Sequence, residues 1–159
     1  MKVLFGFVLV ATTCLSCQSN TKNNSGKKRS VPIVGTWRLI TGMVIEKKDT
    51  IVTDYTKSNS FIKIINDTHF AFLQHDVDKG KDSAKAAFSA GGGRYSLDDS
   101  LYTEHLEFCS ARAWEGNDFK MTVTINNDTL TQRGVEKVES AGVDRINIEK
   151  YVRVQQPVE

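Results

Sequence analysis

Alternation of apolar and polar residues runs through most of this chain, and a period of two admits strands and little else. In "FKMTVTIN" Phe119, Met121, Val123 and Ile125 alternate with Lys120, Thr122, Thr124 and Asn126. In "YTEHLEFC" Tyr102, Glu104, Leu106 and Phe108 alternate with Thr103, His105, Glu107 and Cys109. Successive side chains of a strand point to opposite faces, so each set shares one face. "SFIKIIN", "HFAFLQHD" and "DRINIEKYVRV" draw on the same β-branched and aromatic types. The pattern predicts strands over 34–47, 50–55, 60–66, 69–76, 87–96, 101–109, 119–126, 128–134 and 145–154, with a further short one near 135–139. No segment carries a helix signature. The one place for a turn of helix or a mobile loop is "KGKDSAKAAF", Lys79 to Phe88.

The joints fit hairpins. "INDT" (Ile65–Thr68), "INNDT" (Ile125–Thr129) and "LDDS" (Leu97–Ser100) place Asn and Asp between apolar runs, the chemistry of tight turns. Many short strands joined in sequence predict an all-β fold, a single up-and-down antiparallel barrel of about 8–10 strands, which leaves no edge exposed. A chain of 159 residues has room for one such domain, expected over 31–159.

The first thirty residues read differently. "MKVLFGFVLVATTCLSC" has a basic Lys2, an apolar run from Val3 to Ala11, and small residues ending in cysteine, the layout of a secretory signal peptide. Leu15-Ser16-Cys17 resembles the lipobox of bacterial lipoproteins, although Cys14 stands where that family carries Leu, Val or Ile. The resemblance implies a signal peptide over 1–16, cleavage before Cys17, and acylation of that cysteine. The protein would then be lipid-anchored in the bacterial envelope, on a periplasmic or a surface face of the outer membrane. Plain secretion with two leftover thiols is the alternative. Residues 18–30, "QSNTKNNSGKKRS", contain no apolar side chain and read as a flexible tether. Setting aside the basic residues before position 31 leaves 16 Lys and Arg against 19 Asp and Glu in 31–159, a net of −3. An acidic domain with no basic stripe is a poor nucleic-acid binder.

"IVGTWRLI" opens the foldable part with the smallest residue one position from the largest, Gly35 and Trp37, and "YVRV" closes it with Arg153. This pairing resembles the calycin arrangement of lipocalins and fatty-acid-binding proteins, in which the tryptophan plugs the closed end of the barrel and a late cation packs across its indole. "GGGRYSLDDSLYTEHLEF", "WEGNDFKMTVTINNDTLTQRG" and "IEKYVRV" extend the likeness to small lipocalin-like domains of Gram-negative lipoproteins and secreted proteins. It spans Ile33 to Val154. The resemblance implies a barrel shaped to hold a ligand more strongly than it implies an activity.

Candidate chemistry is sparse. If Tyr102, Glu104, Leu106 and Phe108 face the lumen, a carboxylate lies in an apolar interior and must be paired or hydrogen-bonded. Glu104 then either contacts a ligand head group with Tyr102, Tyr95 or Arg94, or belongs to a structural ion pair. Phe61, Phe70, Phe72, Met121 and Val123 are expected to line the same space, giving a mostly hydrophobic lumen with one buried acid. No metal site is expected: His69 and His75 stand six residues apart on one strand, about 20 Å at 3.3 Å per residue. Gly91-Gly92-Gly93 has no Lys-Ser/Thr after it and reads as a bulge rather than a phosphate loop. Cys109 has no catalytic signature around it, and Glu104 and Glu107 point to opposite faces, so no catalytic residue and no cofactor are assigned. The expected function is a membrane-tethered protein that binds a small hydrophobic or amphipathic molecule. The alternatives are a structural module of the envelope with a filled barrel, and an enzyme on the same scaffold.

Overall fold

Nine strands form where the alternation places them. The computed structural model describes residues 31–155; the expected signal peptide, Cys17 and the expected tether lie outside the described residues. The strands are β1 (Gly35–Glu46), β2 (Asp49–Asp54), β3 (Asn59–Ile65), β4 (His69–Asp76), β5 (Phe88–Asp98), β6 (Leu101–Cys109), β7 (Asp118–Asn126), β8 (Thr129–Val138) and β9 (Val143–Arg153). Each pairs antiparallel with its sequence neighbour from β3 to β9, and β9 returns to β1. The result is a closed up-and-down barrel of eight strands, β1 and β3 to β9, with β2 as an extra strand. β2 pairs only with Thr41–Glu46 of β1, while β3 takes Gly35–Arg38 of the same edge. The short strand expected near 135–139 is the end of β8. Residues 79–87 form turns and bends without a helix, and the helical pieces are two 3₁₀ turns, Arg112–Trp114 and Glu139–Ala141.

The two similar turn sequences fold differently. In "INNDT" both Asn127 and Asp128 have positive φ, 45° and 54°, which suits a two-residue hairpin and matches the strand twist. In "INDT" the Asn66 side chain folds back instead, and its Oδ1 accepts from the Thr68 and His69 amides at 2.9 and 2.7 Å.

Two bulges reset which side chains face inward. On β1 the register with β9 shifts between Leu39 and Thr41, so the inward set passes from Trp37 and Leu39 to Gly42 and Val44, opposite Glu149 and Asn147. On β6 the register with β5 shifts opposite Gly92 and Gly93, because Glu107 is an extra residue between Leu106 and Phe108. Gly93 is needed there: a Cβ would collide with the His105 carbonyl oxygen. Beyond this bulge the parity reverses.

One end of the barrel is packed shut. Residues 31–34 cross it, and Trp37 is fully buried beneath them, its indole Nε1 donating to the Ile33 carbonyl at 2.7 Å. Arg153, the cross-strand partner of Trp37, lays its guanidinium 4.1 Å from the indole centroid. The same guanidinium donates to the Val34 and Pro32 carbonyls at 2.9 and 3.1 Å. Gly35 is glycine for two reasons: its φ is 145°, and Arg153 Nη1 lies 2.5 Å from where a Cβ would stand. Leu39, Ile65, Phe70, Tyr102, Val123, Leu130 and Tyr151 fill the barrel above this plug. The other end is open.

Candidate functional site at the open end of the barrel

The inward faces that make a core near the plug diverge toward the other end, where they enclose a cavity of about 330 Å³. Its two sides differ in chemistry. Phe61 of β3 and Phe72 of β4 stack with centroids 5.8 Å apart and planes 12° apart, and Tyr55 meets Phe61 edge-on at 6.0 Å. Phe119 and Met121 of β7 continue this apolar side, and Trp114 of the first 3₁₀ turn packs on Phe119 at 5.8 Å. β8 and β9 instead contribute Gln132, Glu136, Arg145, Asn147 and Glu149. Both strands alternate strictly, so every second residue, whatever its chemistry, points to the lumen.

At the floor Lys63 and Glu104 form an ion pair, Nζ to Oε1, at 2.7 Å, with Lys63 2% and Glu104 6% exposed. Lys63 Nζ also donates to Gln132 Oε1 at 3.0 Å and lies 5.4 Å from the Tyr151 ring centroid. Gln132 Nε2 and the Tyr151 hydroxyl both donate to Glu149 Oε2, at 2.6 and 2.8 Å. Lys63, Glu104, Gln132, Glu149 and Tyr151 are thus one continuous network. Such a network stabilises the fold only while every member keeps its partner. Near the mouth a second group forms, in which Arg145 Nε and Asn147 Nδ2 each donate to the Glu136 carboxylate at 2.7 Å. Arg145 also lies 5.5 Å from the Trp114 ring centroid.

Burial governs the protonation of these groups. It pushes the Glu136 carboxyl above the usual carboxylate range, against the downward pull of Arg145 and with Glu149 adding to the rise. It raises the Tyr55 hydroxyl too, with Glu149 the next contributor. The Tyr102 hydroxyl is held far above its ordinary value, first by burial and then by the Glu104 carboxylate. That hydroxyl is buried and makes no hydrogen bond. The described residues include no cluster of three or more His, Cys, Asp or Glu arranged to hold a metal ion.

Of the residues singled out from the sequence, Phe61, Phe72, Glu104, Leu106 and Met121 line this cavity, and Val123 lies in the core below it. Phe70 and Tyr102 are buried in the core below it, and Tyr95 packs on Tyr102 at 5.3 Å near the plug, its hydroxyl donating to the Asn66 carbonyl at 2.7 Å. Phe108 is the correction. The β6 bulge turns it outward, 67% exposed, and brings Cys109 into the cavity wall in its place. Arg94 does not reach Glu104; it pairs with Glu107 on the outer surface, where His105 pairs with Asp118 at 2.7 Å. The lumen holds not one acid but three, Glu104, Glu136 and Glu149, with the cations Lys63 and Arg145. Glu136, Arg145 and Glu149 were not singled out from the sequence, and neither was Lys63. Its signal was present in "SFIKIIN", where Phe61 and Ile65 flank it at a spacing of two.

No family model matches the chain, and a search of curated proteins returns no match.

Proposed function

We propose that this chain is a membrane-tethered, lipocalin-like binding protein of the bacterial envelope, holding a small amphipathic molecule at the open end of its barrel. One observation carries the reading: a cavity of about 330 Å³ with an aromatic side on β3, β4 and β7 and a hydrogen-bonding side on β8 and β9. Ligand sites combine an apolar lining with a few convergent polar groups in that way, and this volume is at the small end of their range. The tether rests on the lipobox-like Leu15-Ser16-Cys17 and the polar segment that follows it.

Native mass spectrometry of the protein extracted from its own host is the test. The expected spectrum carries the added mass of one bound small molecule per chain. A chain that flies with no added mass and takes up no amphiphile on titration overturns the reading and leaves an envelope module whose barrel holds only its own side chains. The anchor has a separate test: Cys17→Ala is expected to move the protein from the membrane to the soluble fraction. Extraction that still requires detergent would rule out lipid at that residue.

A further inference from the structure

The charges around the cavity do not balance, and the imbalance has an address. Lys63 is committed to Glu104 at 2.7 Å, and Arg145 is committed to Glu136 at 2.7 Å. Once those pairs are formed, one carboxylate remains, Glu149. Among the described residues no Lys, Arg or His pairs with it; its Oε2 accepts from two neutral donors, Gln132 and Tyr151. Glu149 is half-buried and lines the cavity at the end of the floor network, one inward-facing position along β9 from Asn147 of the mouth group. A carboxylate in a walled site of low dielectric projects its charge much further than one in water. Glu136 and Tyr55, which line the same cavity, feel it: after burial, Glu149 is among the causes that push both groups above their ordinary values.

We infer that the cavity takes a small aromatic or aliphatic amine, whose ammonium group sits on Glu149 and whose apolar part lies against Phe61 and Phe72. This rests on the binding role proposed above. An ammonium supplies the missing counter-charge and up to three N–H donors, and the ring faces of Tyr55, Phe61 and Phe72 favour a cation nearby. A carboxylate ligand meets the opposite situation. Both cations that would receive it are already held by glutamates, and Glu149 repels it.

The test uses three probes of one shape: phenethylammonium, phenethyl alcohol and hydrocinnamate, each titrated into the full chain by calorimetry at neutral pH. Phenethylammonium is expected to bind at least about tenfold tighter than either of the others, the effect of one charge-assisted hydrogen bond. Glu149→Gln keeps an acceptor for Gln132 and Tyr151 and is expected to abolish that preference while phenethyl alcohol still binds, which reports that the cavity is still formed. Hydrocinnamate binding as tightly as the amine in the wild-type chain overturns the inference without recourse to any variant. So does an amine preference that survives Glu149→Gln. Binding of none of the three overturns the inference and leaves the binding role to the native mass spectrum described above.

Discussion

Trp37→Ala is expected to destabilise the fold by about 3–5 kcal/mol, the range for truncating a fully buried large aromatic. Trp37 has no exposed surface, and its ring is covered by the segment 31–34 and by Arg153. Its removal opens a void in the packed end of the barrel, held between β3, β9 and the segment 31–34, so little of the loss is recovered by relaxation. Arg153→Ala is expected to cost less, about 1–2 kcal/mol. Its cation–π contact and its two bonds to the Val34 and Pro32 carbonyls are partly solvent-screened. The two losses are coupled, since the guanidinium has no ring to stack on once Trp37 is gone. The double variant is therefore expected to be more stable than the sum of the singles predicts, by about 0.5 kcal/mol or more. Urea melts of the four proteins measure this, and strictly additive losses would show that the stack contributes nothing.

Lys63→Met is expected to have an effect of the same size for a different reason. The substitution keeps an unbranched side chain of similar length but leaves Glu104 as a buried carboxylate with no counter-charge, and Gln132 Oε1 without its donor. Breaking a buried pair from one side costs about 3–5 kcal/mol, because the stranded charge keeps its desolvation penalty and loses the attraction that offset it. Adding Glu104→Gln removes that charge. Lys63→Met with Glu104→Gln is therefore expected to be more stable than Lys63→Met alone, so that the second substitution stabilises in one background and destabilises in the other. Thermal or urea melts of the two singles and the double decide it. A double variant less stable than Lys63→Met would mean that the carboxylate is satisfied by groups other than Lys63. The same comparison separates fold from function, because Glu149, assigned to ligand, lies on the other side of Gln132 and remains in all three variants.

The secondary structure of this chain was written locally. A period of two places alternate side chains on opposite faces without regard to anything distant, so the nine strands lie within a few residues of where "FKMTVTIN", "YTEHLEFC" and their neighbours put them. The short Asn/Asp joints dictate sequential antiparallel pairing, and sequential pairing of this many strands closes a barrel. Gly35, Trp37 and Arg153 were legible only through their resemblance to the calycin pattern; the first and last strands of a closed barrel are neighbours, so Trp37 and Arg153, 116 positions apart in sequence, become direct cross-strand partners. The interior was not legible in this way. Its orientation depends on register, and a single inserted residue reverses it. Glu107 does so on β6, sending Phe108 into solvent, and the bulge after Leu39 does so on β1. Lys63 looked like one polar residue in an apolar strand because its partners, Glu104 and Gln132, lie 41 and 69 residues away. Only closure brings those three strands around one axis. The strands and their sequential pairing from β3 to β9 follow from the sequence by itself, through local periodicity and turn chemistry; that β2 stays outside the barrel, which charges meet, which carboxylate is left over and where the barrel stays open were decided by the tertiary structure, because each depends on distances that exist only after the barrel has closed.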